Sequence, residues 1–192
     1  MWVIVGLGNP GKQYSSTRHN AGFILVQRLA DKNAVRLKKR KYAAKATQIE
    51  MDGEPVLLVK PWTYMNRSGQ AVKELIRWTA VKRERLLVAT DDLDLPLGEI
   101  RIRKSGGPGT HNGMLSIVKE VGSSDFPRIR IGIGPLPSGK DAAEFVLAKF
   151  QKEELPVLED SLVRAEEAIA LIITNGIENA MNMFNRKVGP SE

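Results

Sequence analysis

The chain contains no cysteine, only two histidines, few aromatics (6%), and no apolar run approaching the ~20 residues of a membrane-spanning helix. Each shortage removes a class of function. Without cysteine there is no disulfide, no thiol nucleophile, no iron–sulfur cluster and no ready structural zinc site. Neither histidine belongs to an H-E-x-x-H helix, so no metal is expected. No G-x-S-x-G elbow supplies a serine nucleophile. The opening run Met1-Trp2-Val3-Ile4-Val5-Gly6 lacks the basic stretch and small-residue cleavage site of a signal peptide. A cytoplasmic protein without membrane association is the expectation.

Positive charge is plentiful. Lys and Arg number 29 against 22 Asp and Glu, a net charge of +7. Such a balance suits a polyanionic partner, since each neutralised phosphate releases condensed counterions, and it also suits a merely basic, well-solvated surface. The distribution favours an RNA- or DNA-facing surface. Lys32, Arg36, Lys38, Lys39, Arg40, Lys41 and Lys45 form one cluster, Arg101, Arg103 and Lys104 a second, and Arg128 with Arg130 a third. The run 38–41 reads either as a binding patch or as a solvated face, the latter being preferred.

The 192 residues suit one domain spanning 1–192, with no repeats and no low-complexity linker. Val3-Ile4-Val5-Gly6-Leu7-Gly8 reads as a buried strand ending in a glycine turn, and Ala21–Lys32 as an amphipathic helix. Asp52-Gly53 between 47–51 and 55–60 is a hairpin signal. Ser68 is placed to cap a helix with Val72, Leu75 and Ile76 on one face. Strands are expected at 86–90, 100–103 and 128–134, and helices at 114–121 and 141–150. A long helix is expected over 153–174, stopped by Asn175-Gly176 and followed by a last helical segment over 177–185. Alternating strands and helices imply a single three-layer α/β domain, a central mixed twisted β-sheet flanked by helices, with a long C-terminal helix.

The residues able to do chemistry are few. His19 lies in Thr17-Arg18-His19-Asn20-Ala21-Gly22 and His111 in Gly109-Thr110-His111-Asn112-Gly113. The segment Leu87-Val88-Ala89-Thr90-Asp91-Asp92-Leu93-Asp94 delivers carboxylates at the carboxyl end of a strand, where open α/β sheets gather ligands. Asp91 or Asp94 reads equally as a local turn cap. A histidine base works best with a carboxylate that fixes its tautomer, so an Asp–His–water arrangement would hydrolyse an ester without a nucleophilic side chain. Asn9, Asn66 and Asn112 are amides in turn-prone contexts, able to hold a substrate carbonyl or to donate toward an oxyanion. Gly6-x-Gly8 lacks the third glycine of a dinucleotide fingerprint, which leaves a nucleotide-binding regulator weakly supported.

Several segments together resemble the bacterial peptidyl-tRNA hydrolases. They are Gly6-Leu7-Gly8-Asn9-Pro10-Gly11, Tyr14, Thr17 to Gly22, Lys60-Pro61 to Tyr64-Met65-Asn66, Asp91 to Gly98, Gly109 to Gly113, and Arg130-Ile131-Gly132-Ile133-Gly134. The resemblance implies an esterase that cleaves the bond between a peptide and the tRNA 3′ ribose, with His19 as base and Asp91 as its orienting acid. It implies that Asn9, Tyr14, Met65, Asn66, His111 and Asn112 bind substrate, and that Arg101, Arg103 and Arg130 bind tRNA. It also implies a monomer that needs no metal or cofactor, binds neither DNA nor membrane, and has residues 140–150 bordering the cleft as a candidate gate. Thr90 stands where many members have histidine, and Pro108-Gly109-Thr110 departs from the family's more glycine- and histidine-rich loop. A second reading is a non-catalytic RNA-binding member of the same fold.

Overall fold

The computed structural model describes residues 1–40 and 42–185, so Lys41 of the basic run lies outside the described residues. Its strands are β1 (Trp2–Gly6), β2 (Lys38–Arg40), β3 (Ala44–Met51), β4 (Glu54–Pro61), β5 (Leu86–Pro96), β6 (Ile100–Arg103) and β7 (Arg128–Gly134). Its α-helices are α1 (Ala21–Lys32), α2 (Ser68–Thr79), α3 (Asn112–Val121), α4 (Ala142–Leu147), α5 (Leu155–Asn175) and α6 (Ile177–Phe184).

Strand β1 is buried along its whole length, which demands a neighbour at each edge and a layer on each face. Parallel β4 and β5 supply the edges, and β7 continues the parallel set beyond β5. The outer strands β2, β3 and β6 pair antiparallel, giving the mixed order β2-β3-β4-β1-β5-β7-β6. Asp52 and Gly53 both have positive φ (50° and 80°), the condition for a two-residue hairpin turn of the primed type. That local chemistry makes β3 antiparallel to β4.

Period-two alternation gives the sheet two apolar faces. Ile4, Leu58, Leu87, Ile129 and Ile131 pack against Leu25 and Leu29 of α1 and Leu162 and Ile169 of α5. Val3, Val5, Val59 and Val88 face Val72 and Leu75 of α2 and Ile117 of α3. Each such aliphatic contributes roughly 1.5–3 kcal/mol on burial, so this framework holds the loops above it firmly.

Four expectations are corrected. Ser68 is the first residue inside α2 and not its cap; its Oγ is buried without a hydrogen-bond partner among the described residues. The helix expected over 141–150 is shorter: Asp141 caps it through Glu144 N–H, and it ends at Leu147 because the next residues tie to 16–18. The long helix begins after a 3-10 turn, Lys152–Glu154, closed by a reciprocal Gln151/Glu154 capping box. Strand β5 runs on to Pro96, so Asp91, Asp92 and Asp94 are strand residues.

The N-terminus of α1 sits on the ends of β1 and β5 backbone to backbone. A Cβ on Gly6 would lie 2.1 Å from Gly22 O, and one on Gly22 would lie 2.4 Å from Ala89 O. This approach lowers the turn preceding α1 onto the end of β5. Gly22→Ala should therefore destabilise the fold by about 1–3 kcal/mol through overpacking, read as a lower denaturant midpoint with an unchanged m-value. An unchanged midpoint would mean that the packing there has slack.

Candidate active site

The site lies at the carboxyl ends of the parallel strands, where the turn Arg18–Asn20 and the cap of α3 converge on Asp91. His19 Nδ1 is 2.8 Å from Asp91 Oδ2, with both side chains nearly excluded from solvent (10% and 2% exposed). His111 Nε2 is 2.9 Å from Asp91 Oδ1 and 2.8 Å from Thr90 Oγ1. One carboxylate thus holds both histidines of the chain, one on each oxygen, and the ring centroids are 4.9 Å apart.

Hydrogen bonding assigns the tautomers. An ionised carboxylate only accepts, so His19 carries its proton on Nδ1 and keeps the Nε2 lone pair free for a ligand. His111 is opposite. Its Nδ1 accepts from the backbone N–H groups of Gly113 (3.1 Å) and Met114 (3.3 Å), which puts the proton on Nε2, facing Asp91. Burial alone would push the Asp91 carboxyl up. The charge and hydrogen bond of His111 and the bond from His19 outweigh it and hold Asp91 well below the usual carboxylate range. Asp91 is therefore a fixed anion.

Among the described residues, His19, Asp91 and His111 are also the one His/Asp/Glu group compact enough for a metal ion. Their chemistry fits poorly. Ligation through His111 Nε2 needs the proton on Nδ1, where two backbone N–H groups already point. The trio is wired for protons.

A second network sets the amides. Asn9 N–H donates to Asn20 Oδ1 (2.8 Å), and Asn20 Nδ2 donates back to Asn9 O (3.0 Å). Met65 N–H donates to Asn9 Oδ1 (2.8 Å), which orients the Asn9 carboxamide and leaves its Nδ2 hydrogens for a ligand. Met65 is buried, while Asn66 and Asn112 are exposed. A cavity of about 540 Å³ is lined by Asp91, His111, Asn112, Arg103, Arg130 and the loop 105–110. Tyr14 is half-buried and lines neither this cavity nor the one beside Asn9; its carbonyl accepts from Thr17 N–H and Oγ–H.

The cross-strand register pairs Arg101 with Arg130 and Arg103 with Arg128, so the four arginines share one face while Ile100, Ile102, Ile129 and Ile131 take the other. Arg128 reaches the cavity wall but is held by the loop beside it. It is buried and spends its guanidinium on the carbonyls of Gly106, Gly107, Ser124 and Phe126, bracing the loop beside His111. Arg130 pairs with Asp92, and Arg101 lies beside Glu99. Asp92, not Asp91 or Asp94, is the local cap, accepting from Asp94 N–H.

The segment 140–150 is tied at its end to the turn carrying His19. Arg18 is sandwiched between the rings of Phe145 and Phe150, bonds both oxygens of Glu154, and takes Ala148 O on its backbone N–H.

Known proteins resemble this chain over nearly its whole length. The sequence profile described as Peptidyl-tRNA hydrolase matches residues 3–191. The chain belongs to the peptidyl-tRNA hydrolase family. It is 47% identical over 186 residues to a peptidyl-tRNA hydrolase of Chloroflexus aggregans, covering 96% of this chain and 99% of that protein. It is 46% identical over 185 residues to one of Syntrophomonas wolfei, covering 96% and 100%. A crystal structure of a peptidyl-tRNA hydrolase complexed with N-propanol superposes with a TM-score of 0.92 at 38% identity, covering 100% of this chain and 97% of that one. The Acinetobacter baumannii peptidyl-tRNA hydrolase gives 0.90 at 39%, covering 96% and 94%.

Within this peptidyl-tRNA hydrolase fold, sequence reasoning missed Asn20, Arg18 and the grip of His111 on Asp91. The first had a visible signal, an asparagine following each histidine. The tautomers make a sharp test. In ¹⁵N-edited spectra of the imidazoles, neutral His19 should show a protonated Nδ1 and neutral His111 a protonated Nε2. Matching tautomers on the two rings would refute the network as drawn.

Proposed function

We propose that the protein hydrolyses the ester between a peptide's C-terminal carboxyl and the 3′ ribose of tRNA, returning free tRNA to translation in the cytoplasm. The observation that carries this reading is the 2.8 Å bond from His19 Nδ1 to the buried Asp91 carboxylate. With Nδ1–H held there, Nε2 accepts a proton from water, and the resulting hydroxide attacks the ester carbonyl. Asp91 stabilises the imidazolium that forms. The oxyanion takes hydrogen bonds from amide donors, for which Asn9 Nδ2, Asn66 and Asn112 are the candidates, and buried Met65 acts through the backbone N–H that orients Asn9. Collapse breaks the acyl–oxygen bond, and the ribose oxygen takes the proton back from His19. Water contributes OH to the peptide and H to the ribose, so the chemistry balances without metal or cofactor. His111 braces Asp91 and offers its exposed edge to substrate. Arg103 and Arg130 at the mouth of the cavity, with Arg101 alongside, take the RNA phosphates; the chain acts as a monomer and needs neither DNA nor membrane.

Incubation with N-acetyl-aminoacyl-tRNA should release tRNA, and no release across pH and salt would sink the reading. His19→Ala should lower turnover about 10²–10⁴-fold while tRNA binding survives. Asp91→Asn should slow turnover with little change in KM. Turnover at wild-type rate in either variant would remove that residue from its role. Replacing Arg101 and Arg103 together by Gln should raise KM and flatten its dependence on salt. An unchanged salt slope would put the phosphate contacts elsewhere.

A further inference from the structure

A second cavity, of about 530 Å³, shares no lining residue with the one beside Asp91. It begins at Asn9 and Asn20, the latter next in sequence to His19, and runs over Phe23 and Trp62 to Lys45 and Lys60. The two rings lie parallel (1° between planes) with centroids 6.3 Å apart. Lys45 Nζ stands 3.6 Å from the Trp62 centroid and Lys60 Nζ 5.4 Å from that of Phe23.

Lys60 is the anomaly. It is only 8% exposed, and its ammonium, with three donors, bonds one neutral acceptor among the described residues, Gln27 Oε1 at 2.8 Å. A buried cation so sparsely paired costs stability that an apolar side chain of similar length would not. Burial lowers its pKa to about 8, with Asp31 opposing and Lys45 adding to the shift. The ammonium lines the cavity and has donors to spare.

We propose that this cavity is a subsite for the peptide part of the substrate, taking an acidic side chain whose carboxylate pairs with Lys60 while its methylenes lie on Phe23 and Trp62. The proposal rests on the ester-hydrolase reading. A peptide is favoured over RNA because the two portions of an ester leave the reacting bond in different directions. The cavity beside Asp91 is polar, with Arg103 and Arg130 among Asp91, Asp92 and Asp94, whereas this one is mostly apolar in lining, with Lys12, Arg28 and Lys45 around one deeply buried cation, Lys60.

The test compares N-acetyl-Glu-Ala-tRNA with N-acetyl-Gln-Ala-tRNA on the same tRNA body. At pH 7 the wild-type protein should prefer the Glu substrate in kcat/KM roughly tenfold, the size of one charge-assisted hydrogen bond. The ratio cancels the pH dependence of the shared chemistry. It should fall toward one as pH rises through about 8 and Lys60 loses its charge. Lys45 and Lys12 are the other lysines facing the cavity, Arg28 is engaged by Glu159 and Glu166, and Asp31 lies behind Lys60. Lys60→Met should abolish the preference; should that variant not fold, the wild-type pH profile of the ratio still decides. Equal cleavage of both substrates by the wild-type protein overturns the subsite alone. Cleavage of neither overturns the ester-hydrolase reading and the subsite with it. A weaker inhibition constant for deacylated tRNA in Lys60→Met would make RNA the occupant and overturn the peptide assignment.

Discussion

A carboxylate taken out of water must be repaid with hydrogen bonds, and Asp91 is almost wholly inside. It is repaid by two imidazoles arriving from opposite directions in the sequence, His19 from the turn before α1 and His111 from the cap of α3. Much of the surrounding architecture serves that meeting. The Gly6–Gly22 contact lets α1 descend onto the sheet, and the backbone N–H groups at the start of α3 fix the tautomer of His111. Thr90 adds a hydroxyl to the same Nε2 without touching His19. An acid gripped from both sides cannot rotate. Its remaining freedom is electrostatic, and that suits it to orient a base and steady its cation.

The two histidines look equivalent in composition and are made unequal by their second nitrogens. His19 keeps a lone pair at Nε2, whereas His111 spends its own on the helix cap. Orientation, more than proximity to the acid, therefore selects the base. The same logic separates the arginines. Arg128 and Arg130 sit two apart on one strand face, yet four backbone carbonyls absorb the first while the second pairs with Asp92 and stays part-exposed. Charge counted along the chain overstates the charge available to a phosphate.

Local patterns carried most of the fold. Apolar alternation in 128–134, the Asp52-Gly53 turn and the helical spacing of α1 and α5 are short-range signals, and each produced the expected element. What escaped sequence reading was decided at long range. α4 stops at Leu147 because the following backbone is captured by residues 16–18, and β5 extends through the aspartates because β7 runs alongside to pair with them. At the site, the alignment of His19 with Asp91 was anticipated from chemistry and resemblance. The second histidine on Asp91 was not, because its aim is set by two backbone N–H groups at the start of α3 that hold Nδ1 and turn Nε2 toward the acid.

Arg18 joins these two levels. Its guanidinium lies between Phe145 and Phe150 and on Glu154, while its backbone leads directly into His19. Two of its nitrogens, Nε and Nη1, are buried without partners among the described residues, a cost offset by the paired carboxylate and the ring faces. The segment 140–150 is thus mechanically continuous with the turn that aims the base. A displacement of α4 large enough to open the cavity it borders through Ala142, Ala143 and Val146 would have to break that clamp or carry the His19 turn with it. Segment 140–150 and the turn that aims the base are therefore joined twice, by the Arg18 side chain and by the backbone pairing of 148–150 with 16–18.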